Sequence, residues 1–213
     1  DIHIEAEPES SRGIYPALNY VLNRFGHDYK YLTFINDDDY WLPSYASLIK
    51  AADGKVGLVY GKVNYLVGEK VVPMSCSPRF SDFIPLLFGG VILFTQQAAI
   101  VRGDLFFSLG GFDETFKLAA DTLFWAKLSL LEDSYVYVAK PCAVYGIQAG
   151  QLSSDRQTGK QEHERLLGML NRPSRMRICL AKFLFRMANL STYIRRTFVG
   201  KRRVADYMYG SNG

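Results

Sequence analysis

Residues 31–43 have the sequence YLTFINDDDYWLP, and this stretch decides the fold prediction. Its first five residues are aromatic, aliphatic or β-branched, and this pattern predicts a buried strand over 31–36. Asn36 and three consecutive carboxylates, Asp37, Asp38 and Asp39, follow. Open α/β sheets bind ligands at the carboxyl ends of their strands, so this cluster is expected at a ligand site. Because adjacent carboxylates repel one another, a cation that neutralises them is also expected. A solvated acidic turn is the alternative interpretation.

The segments around this stretch alternate between helical and strand patterns. Apolar residues at helical spacing predict helices at about residues 16–25, 43–53 and from 119 onward. Strand patterns lie at residues 56–60, 63–67, 71–72, 135–140 and 143–147, with a hairpin turn at 68–69. This alternation predicts an α/β protein with a mixed sheet flanked by helices.

The bulk composition is that of a soluble globular protein. The chain has 213 residues, of which 48% are apolar and 22% are charged. No run approaches the 18 apolar residues that a membrane-spanning helix needs. Cys76, Cys142 and Cys179 are widely spaced and have no metal-ligand spacing, so reduced thiols are expected. The sequence begins at Asp1 without a signal-like segment. We therefore expect a cytoplasmic protein.

Positive charge is concentrated at the C-terminal end of the chain. Residues 160–213 hold 12 Lys/Arg and 3 Asp/Glu, whereas residues 1–159 hold 13 and 18. The asymmetry predicts two regions, a catalytic domain over 1–159 and a basic helical appendage over 160–213. Such helices either contact an anionic membrane at its inner face or pack on the catalytic domain or a second subunit, as in a homodimer. The leucine-rich part favours packing, whereas Arg195-Arg196 and Lys201-Arg202-Arg203 favour membrane contact. No nucleic-acid-binding motif accompanies the charge.

Four segments in order resemble motifs of glycosyltransferase family 2, which are inverting enzymes of the GT-A fold. They are EPESSRGIYPALN at 7–19, FINDDD at 34–39, GGFDE at 110–114 and ADTLFW at 120–125. The resemblance covers residues 5–153. It implies a GT-A-like (Rossmann-like) sheet, a nucleotide-sugar donor and a Mg²⁺ or Mn²⁺ ion.

The resemblance also implies roles for the residues of the donor side. Asp38 is expected to coordinate the metal, with Asp39 as the ligand in an alternative register of the motif, because hard cations prefer carboxylate oxygens. Asp37 is expected to face the ribose or the waters of the metal, and Asn36 to keep a hydrogen bond there. Arg12 and Asn19, in the first segment, are further donor-binding candidates.

The resemblance implies that Asp121 is the catalytic base, and the chemistry needs one because an attacking acceptor hydroxyl must lose its proton as the new bond forms. Its alternative role is that of a helix cap. Four residues are weaker candidates for contact with the acceptor or the diphosphate, and they are Trp41, Gln97, Trp125 and Ser153. The core interpretation is favoured for Trp125, whereas Trp41 fits a core residue or a sugar platform.

The resemblance also has departures. The family's first strands, which hold the nucleotide base, have no counterpart here, so the catalytic domain is expected to be N-terminally incomplete. The function that the resemblance implies is sugar transfer to a saccharide or lipid-linked acceptor in surface polysaccharide biosynthesis. A degenerate nucleotide-sugar-binding scaffold is an alternative, favoured by the missing strands and by Asn36 and Gln96. A nucleotidyltransferase is a second alternative, although no Gly-rich phosphate loop is visible.

Overall fold

The computed structural model of the chain describes residues 13–131, 134–148, 151 and 155–199. The α-helices of this part are α1 Ile14–Phe25, α2 Ala46–Ala51, α3 Phe83–Phe88, α4 Gly103–Ser108, α5 Ala120–Leu131, α6 Arg156–Gly168, α7 Arg175–Ala188 and α8 Leu190–Val199. Its strands are β1 Tyr31–Leu32, β2 Tyr40–Trp41, β3 Leu58–Val67, β4 Lys70–Pro73, β5 Ala99–Arg102 and β6 Tyr135–Ile147.

The strands form one mixed sheet in the order β1-β5-β3-β6-β2, and β4 pairs with β3 beside this path. The long strands β3 and β6 run parallel from the Leu58–Tyr135 pair to the Val67–Ile147 pair. The other pairings are antiparallel. Both long strands are rich in β-branched and aromatic residues, which suit a pleated, half-buried surface. The predicted mixed α/β sheet flanked by helices is confirmed.

Successive residues of β3 supply the two faces of the sheet, as the twofold period of a strand requires. Leu58 and Tyr60 belong to the larger apolar cluster, which also holds buried side chains of α1 and α3 to α7. Val59 belongs to the smaller cluster, together with Leu48 of α2. The larger helical layer therefore lies on one face of the sheet, and α2 covers the other.

The strand predicted at 31–36 is shorter than expected. Only Tyr31 and Leu32 pair with β5, at one end of the strand order, whereas β2 pairs with β6 at the other end. The segment between them leaves the ladder, and the Thr33 hydroxyl donates to the Ala99 carbonyl at 2.8 Å. The acidic cluster therefore lies on a connection that crosses from one end of the sheet to the other.

In two places the structure has one continuous strand where the sequence predicts two separate strands. The patterns at 56–60 and 63–67 join into β3, with a register shift against β6 on either side of Lys62. The patterns at 135–140 and 143–147 join into β6. The predicted hairpin is present, and Gly68 in its turn has a φ of +58°, in the left-handed region that favours glycine. The joins are bulges rather than turns, because Gly61 and Lys62 pair with Val138 and Pro141 of β6 and leave Ala139 and Lys140 as extra residues between them.

The C-terminal region is helical where it is described, in α6, α7 and α8. Leu166 of α6 and Ala181 and Phe185 of α7 are buried in the same apolar cluster as the sheet residues. None of the helices in the described part is both long enough and apolar enough to cross a membrane.

Candidate functional site

We call residues 36–39 the acidic segment. A cavity of about 700 Å³ opens where this segment, the start of α1 and the start of α5 meet. Its walls contain Ile14, Tyr15, Phe34, Asn36, Asp37, Asp38, Tyr65, Ile92, Phe94, Thr95, Gln96, Gln97, Lys117, Leu118, Asp121, Thr122, Tyr145 and Gln151. The chain thus gathers residues from segments more than 100 positions apart around one volume. This size lies within the range of small-molecule sites, roughly 300–1,000 Å³.

Asp39 anchors the acidic segment to the sheet. Its Oδ1 accepts from the Gly146 backbone N–H at 2.9 Å, and its Oδ2 accepts from Gln97 Nε2 at 2.8 Å. The side chain is buried, and it is not among the residues that line the cavity. Burial raises the pKa of the Asp39 carboxyl to about 6, against the effect of these two hydrogen bonds. Because both oxygens already have partners, Asp39 has little capacity left for a ligand.

Asp38 and Asp37 line the cavity instead. Asp38 is half-buried, and its Oδ2 accepts a hydrogen bond from Gln151 Nε2, which also donates to the Gly146 carbonyl at 2.6 Å. Asp37 is exposed. Gly146 lies directly against the backbone oxygen of Asp38, and a Cβ at this position would overlap that oxygen. A glycine at the end of β6 therefore allows the acidic segment to come close.

The donor set of this segment fits a hard divalent cation in part. No group of three or more His, Cys, Asp or Glu side chains suited to a metal occurs in the described part of the chain. Mg²⁺ is commonly held by one or two carboxylates, with water and substrate phosphates as its other ligands. Asp37 and Asp38 supply such a pair at the cavity wall.

Asp121 lies in the first turn of α5 and lines the same cavity. Its Oδ1 accepts from the Thr122 backbone N–H at 2.7 Å and from the Tyr15 hydroxyl at 3.1 Å. Burial raises the pKa of the Asp121 carboxyl, and these hydrogen bonds oppose the rise because they stabilise the carboxylate. Oδ2 accepts no hydrogen bond from any other described residue. The Asp121 carboxylate is therefore fixed through Oδ1, and Oδ2 is available to a ligand.

The segment that leads into α5 is held by Glu162 of α6. The Glu162 carboxylate is buried and accepts three backbone N–H bonds, from Lys117 at 2.6 Å, Leu118 at 2.8 Å and Ala119 at 3.0 Å. A carboxylate at a helix N-terminus satisfies N–H groups that have no partner within the helix and opposes the helix dipole. The start of α5, and with it Asp121, is thus positioned by the C-terminal region.

Gln97 connects the acidic segment to the cavity wall. Its side chain is 1% exposed, and its backbone carbonyl accepts from Trp41 Nε1 at 3.2 Å. Because Nε2 donates to Asp39, the side-chain amide is held in one orientation. Oε1 is buried and has no hydrogen-bond partner among the described residues. A buried acceptor without a partner is costly, so Oε1 is suited to a ligand donor.

The structure brings five of the predicted residues to the cavity, namely Asn36, Asp37, Asp38, Gln97 and Asp121. It places Asn19 elsewhere, where the Asn19 amide donates to the Phe112 carbonyl at 2.8 Å and accepts from the Phe112 N–H at 2.9 Å. Asn19 thus holds the GGFDE turn, in which Gly111 has a φ of +71°.

Neither tryptophan is among the residues that line the cavity. Trp41 stacks on Tyr45 with the ring centroids 4.5 Å apart, at the edge of the sheet. Trp125 is buried in the core against Phe94 and Phe124. The predicted roles of Arg12 and Ser153 concern positions outside the described residues.

Several residues of the site received no role from the sequence. Tyr15 lies inside the first family-like segment and Gln151 lies outside all four, and only the structure shows that they contact Asp121 and Asp38. Lys117 brings a cation to the cavity wall. Glu162 lies outside the family-like segments, in a helix whose charge pattern is that of a solvated surface. No sequence signal at Glu162 indicates its part in the site.

Comparison with known proteins supports the fold assignment. No protein-family model matches the chain, and no curated protein matches it. Among solved structures, the chain is similar to S. aureus TarS 1-349 in complex with UDP-GlcNAc, with a TM-score of 0.54 and 18% identity over 92% of this chain and 58% of that one. The structure of TarS 1-349 alone has a TM-score of 0.51 and 18% identity, over 92% of this chain and 57% of that one. The complex of TarS 1-349 with UDP has a TM-score of 0.50 and 19% identity, over 91% of this chain and 56% of that one.

These structures define the class of fold. The chain spans less than three fifths of their length, and it has the mixed sheet and flanking helices of the same GT-A-like architecture. The predicted GT-A-like fold class is therefore confirmed.

Proposed function

We propose that this chain is the catalytic part of a metal-dependent inverting glycosyltransferase that uses a nucleotide-sugar donor. One observation carries the proposal: a single cavity of about 700 Å³ contains both the Asp37–Asp38 pair and the Asp121 carboxylate. It lies on a fold shared with TarS, whose solved structures hold UDP-GlcNAc and UDP. The known chemistry of sugar transfer needs one group for the leaving diphosphate and another for the attacking hydroxyl.

The Asp37–Asp38 segment is the proposed diphosphate side of the site. Mg²⁺ or Mn²⁺ bound there would stabilise the negative charge of the departing diphosphate. Asp38 is the proposed ligand, and Asp37 would face the ribose or the waters of the metal. Asp39 is proposed as the residue that holds the segment in place, because both of its oxygens accept hydrogen bonds from the protein. Lys117 is the nearby cation that would attract the anionic donor.

Asp121 is the proposed general base. Its Oδ2 would take the proton of the acceptor hydroxyl as that oxygen forms a bond to the anomeric carbon, while the bond from this carbon to the diphosphate breaks. Attack on the face opposite the leaving group inverts the configuration at that carbon. Tyr15 and Thr122 hold Oδ1 and leave Oδ2 toward a ligand. We propose a saccharide or lipid-linked acceptor, as in surface polysaccharide biosynthesis.

Calorimetric titration of UDP-sugars and GDP-sugars in the presence and absence of MnCl₂ tests the donor half of the proposal. The chain should bind one of them with Mn²⁺-dependent affinity, and Asp38→Ala should weaken that binding by about tenfold or more, because a charged metal ligand is lost. Glu69→Gln, which changes an exposed carboxylate in the β3–β4 turn, is the matched control and should bind normally. Equal binding by Asp38→Ala would contradict the metal assignment.

A transfer assay with the same donor tests the base. Asp121→Asn keeps the shape of the side chain and should bind donor normally, but transfer should fall by about 100-fold or more, since general bases contribute roughly 10²–10⁴. Full turnover by Asp121→Asn would remove Asp121 from the mechanism. Binding without transfer by the unmodified chain, with every acceptor tried, would favour the scaffold alternative.

A further inference from the structure

Helix α7 has an apolar face that the fold leaves exposed. Met176, Leu180, Phe183 and Met187 are 81%, 54%, 60% and 55% exposed. Their spacing of four, three and four residues places them along one side of the helix, and we call them the α7 stripe. Exposed apolar patches of this kind mark contacts with a partner or a membrane.

The opposite side of α7 already serves the core. Ile178, Ala181 and Phe185 are buried, the last two in the large apolar cluster that contains the sheet residues. Helix α7 therefore has two apolar faces. One packs on the domain, and the other, the α7 stripe, is exposed. Helix α8 continues the trend, because Leu190 and Ile194 are 53% and 50% exposed.

The charge around the α7 stripe has one sign. Residues 169–199 contain seven Lys/Arg and no Asp or Glu. Arg175, Arg177 and Arg186 of α7 are exposed beside the stripe. Other cations of this region are directed to the protein, since Arg196 Nε donates to the Pro73 carbonyl at 2.8 Å and Arg172 lies over the Phe88 ring. A partner must therefore offer an apolar surface and negative charge together.

This combination favours one occupant over the others. A second copy of this chain packed on the stripe would bring two cationic surfaces together without a single acidic residue from residues 169–199 of either copy. An anionic bilayer offers acyl chains for the stripe and headgroups for the arginines at the same depth. We propose that α7 docks on an anionic membrane surface, with Leu180 and Phe183 at the boundary between headgroups and acyl chains.

The docking surface differs from the one that the sequence favours. The sequence assigns membrane contact to Arg195-Arg196 and to Lys201-Arg202-Arg203, and packing to the leucine-rich part. Residues 201–203 lie outside the described part of the chain. In the structure Arg196 is hydrogen-bonded to the domain, and the Leu180 side of α7 is exposed. In the proposed contact the α7 stripe therefore provides the apolar part, and the exposed arginines of α7 provide the positive charge.

Co-sedimentation with lipid vesicles tests the proposal independently of any transferase activity. The full chain should bind vesicles that contain 30% phosphatidylglycerol in phosphatidylcholine, and should bind pure phosphatidylcholine vesicles at least about tenfold more weakly, since each basic residue near an anionic surface adds to binding. Leu180→Gln combined with Phe183→Gln should reduce binding to the anionic vesicles by about 100-fold, roughly tenfold for each apolar side chain removed.

Ile49→Gln is the matched control, because Ile49 is 61% exposed on α2, on the other face of the sheet. It should bind like the unmodified chain. Thermal melting of all variants should be unchanged, since every substituted side chain is exposed. A triple change of Arg175, Arg177 and Arg186 to Gln should weaken binding and reduce its dependence on salt.

Three results would overturn the proposal. The first is failure of the chain to bind the anionic vesicles, which would leave the stripe to an acidic protein partner. The second is equal vesicle binding by the Leu180→Gln/Phe183→Gln variant. The third is a stable dimer in sedimentation velocity that the same variant converts to a monomer, because a second copy would then cover the stripe.

Discussion

The Tyr15–Asp121 hydrogen bond joins α1 to α5 at the cavity wall. Two opposing effects act on the Asp121 carboxyl: burial raises its pKa, whereas the bonds from Tyr15 and Thr122 stabilise the charged form. A general base works only while it is ionised, so in the proposed reaction the balance between these effects would set the lower pH limit of transfer. Tyr15 is therefore a positioning residue of the proposed base.

Tyr15→Phe should shift the acidic limb of the transfer rate to higher pH. The substitution keeps the ring that packs on Phe112, with centroids 5.4 Å apart, and removes the O–H that stabilises the carboxylate. The pKa of Asp121 should then rise, and the base should stay protonated up to a higher pH. The measurement is kcat against pH at saturating donor and acceptor. Tyr20→Phe, which removes a hydroxyl bonded to Arg24, is the control. Coincident profiles for Tyr15→Phe and the unmodified chain would contradict this account.

At the scale of elements, the acidic segment depends on the end of β6. Gly146 donates its N–H to Asp39 and lies against the backbone oxygen of Asp38. The position of Asp38 is thus determined by a strand that begins and ends about 100 residues later in the chain. A residue with a Cβ at position 146 must push the two segments apart.

Gly146→Ala should therefore impair donor binding while the fold persists. A displacement of about 1 Å at a reacting site costs on the order of 100-fold, and we expect a loss of that order in kcat/KM with the proposed donor. Circular dichroism should be unchanged. Gly168→Ala is the control, because an added Cβ there meets no atom within 4 Å. Normal kinetics for Gly146→Ala would show that the acidic segment does not need this close contact.

The α6–α5 contact gives a second prediction at this scale. Glu162→Gln replaces one acceptor oxygen by an NH₂ group that faces backbone donors, and hydrogen bonds to a charged group are lost. The variant should lose about 1–3 kcal/mol of unfolding free energy, and kcat should fall because the start of α5 carries Asp121. Urea denaturation and a transfer assay measure the two effects.

Glu164→Gln is the matched control on the same helix. Glu164 is exposed, with one 3.9 Å ion pair to Lys160, and surface pairs contribute little. It should leave both stability and kcat near their original values. A Glu162→Gln variant that loses stability but keeps its kcat would limit Glu162 to a structural role.

At the scale of the whole molecule, the C-terminal helices share the core of the sheet domain. Leu166 of α6 is fully buried among residues of the larger cluster, which also receives Phe185 of α7. The division into 1–159 and 160–213 remains a prediction. These contacts lead us to expect that both regions unfold together.

Leu166→Ala should destabilise the whole domain by about 2–5 kcal/mol, the usual range for a buried Leu-to-Ala change. Leu180→Ala, in the exposed α7 stripe, should change stability by only about 0.5 kcal/mol or less. Urea denaturation followed by far-ultraviolet circular dichroism and by tryptophan fluorescence measures both. Both tryptophans lie before residue 160, so a fluorescence transition unaffected by Leu166→Ala would show that the two regions unfold separately.

The local patterns predict much of the fold because they depend on residues close together in sequence. The apolar spacing of α1 and the hairpin turn at Gly68 both agree with the structure. The strand expected at 31–36 is wrong in length, since whether a residue pairs depends on β5, some 70 positions away. The interrupted patterns of β3 and β6 suggest breaks, and only the parallel pairing of the two strands shows that extra residues of β6 form bulges there.

The sequence by itself determined that three carboxylates follow a strand, that Asp121 begins a helix and that the C-terminal region is basic. Only the tertiary structure distinguished the carboxylates, because Asp39 meets Gly146 and Gln97 whereas Asp37 and Asp38 line the cavity. It also brought Tyr15 and Glu162 to the Asp121 end of the site and left the α7 stripe exposed. The physical reason is range: helix and turn preferences act within a few residues, whereas hydrogen-bond partners and burial depend on segments that only folding brings together.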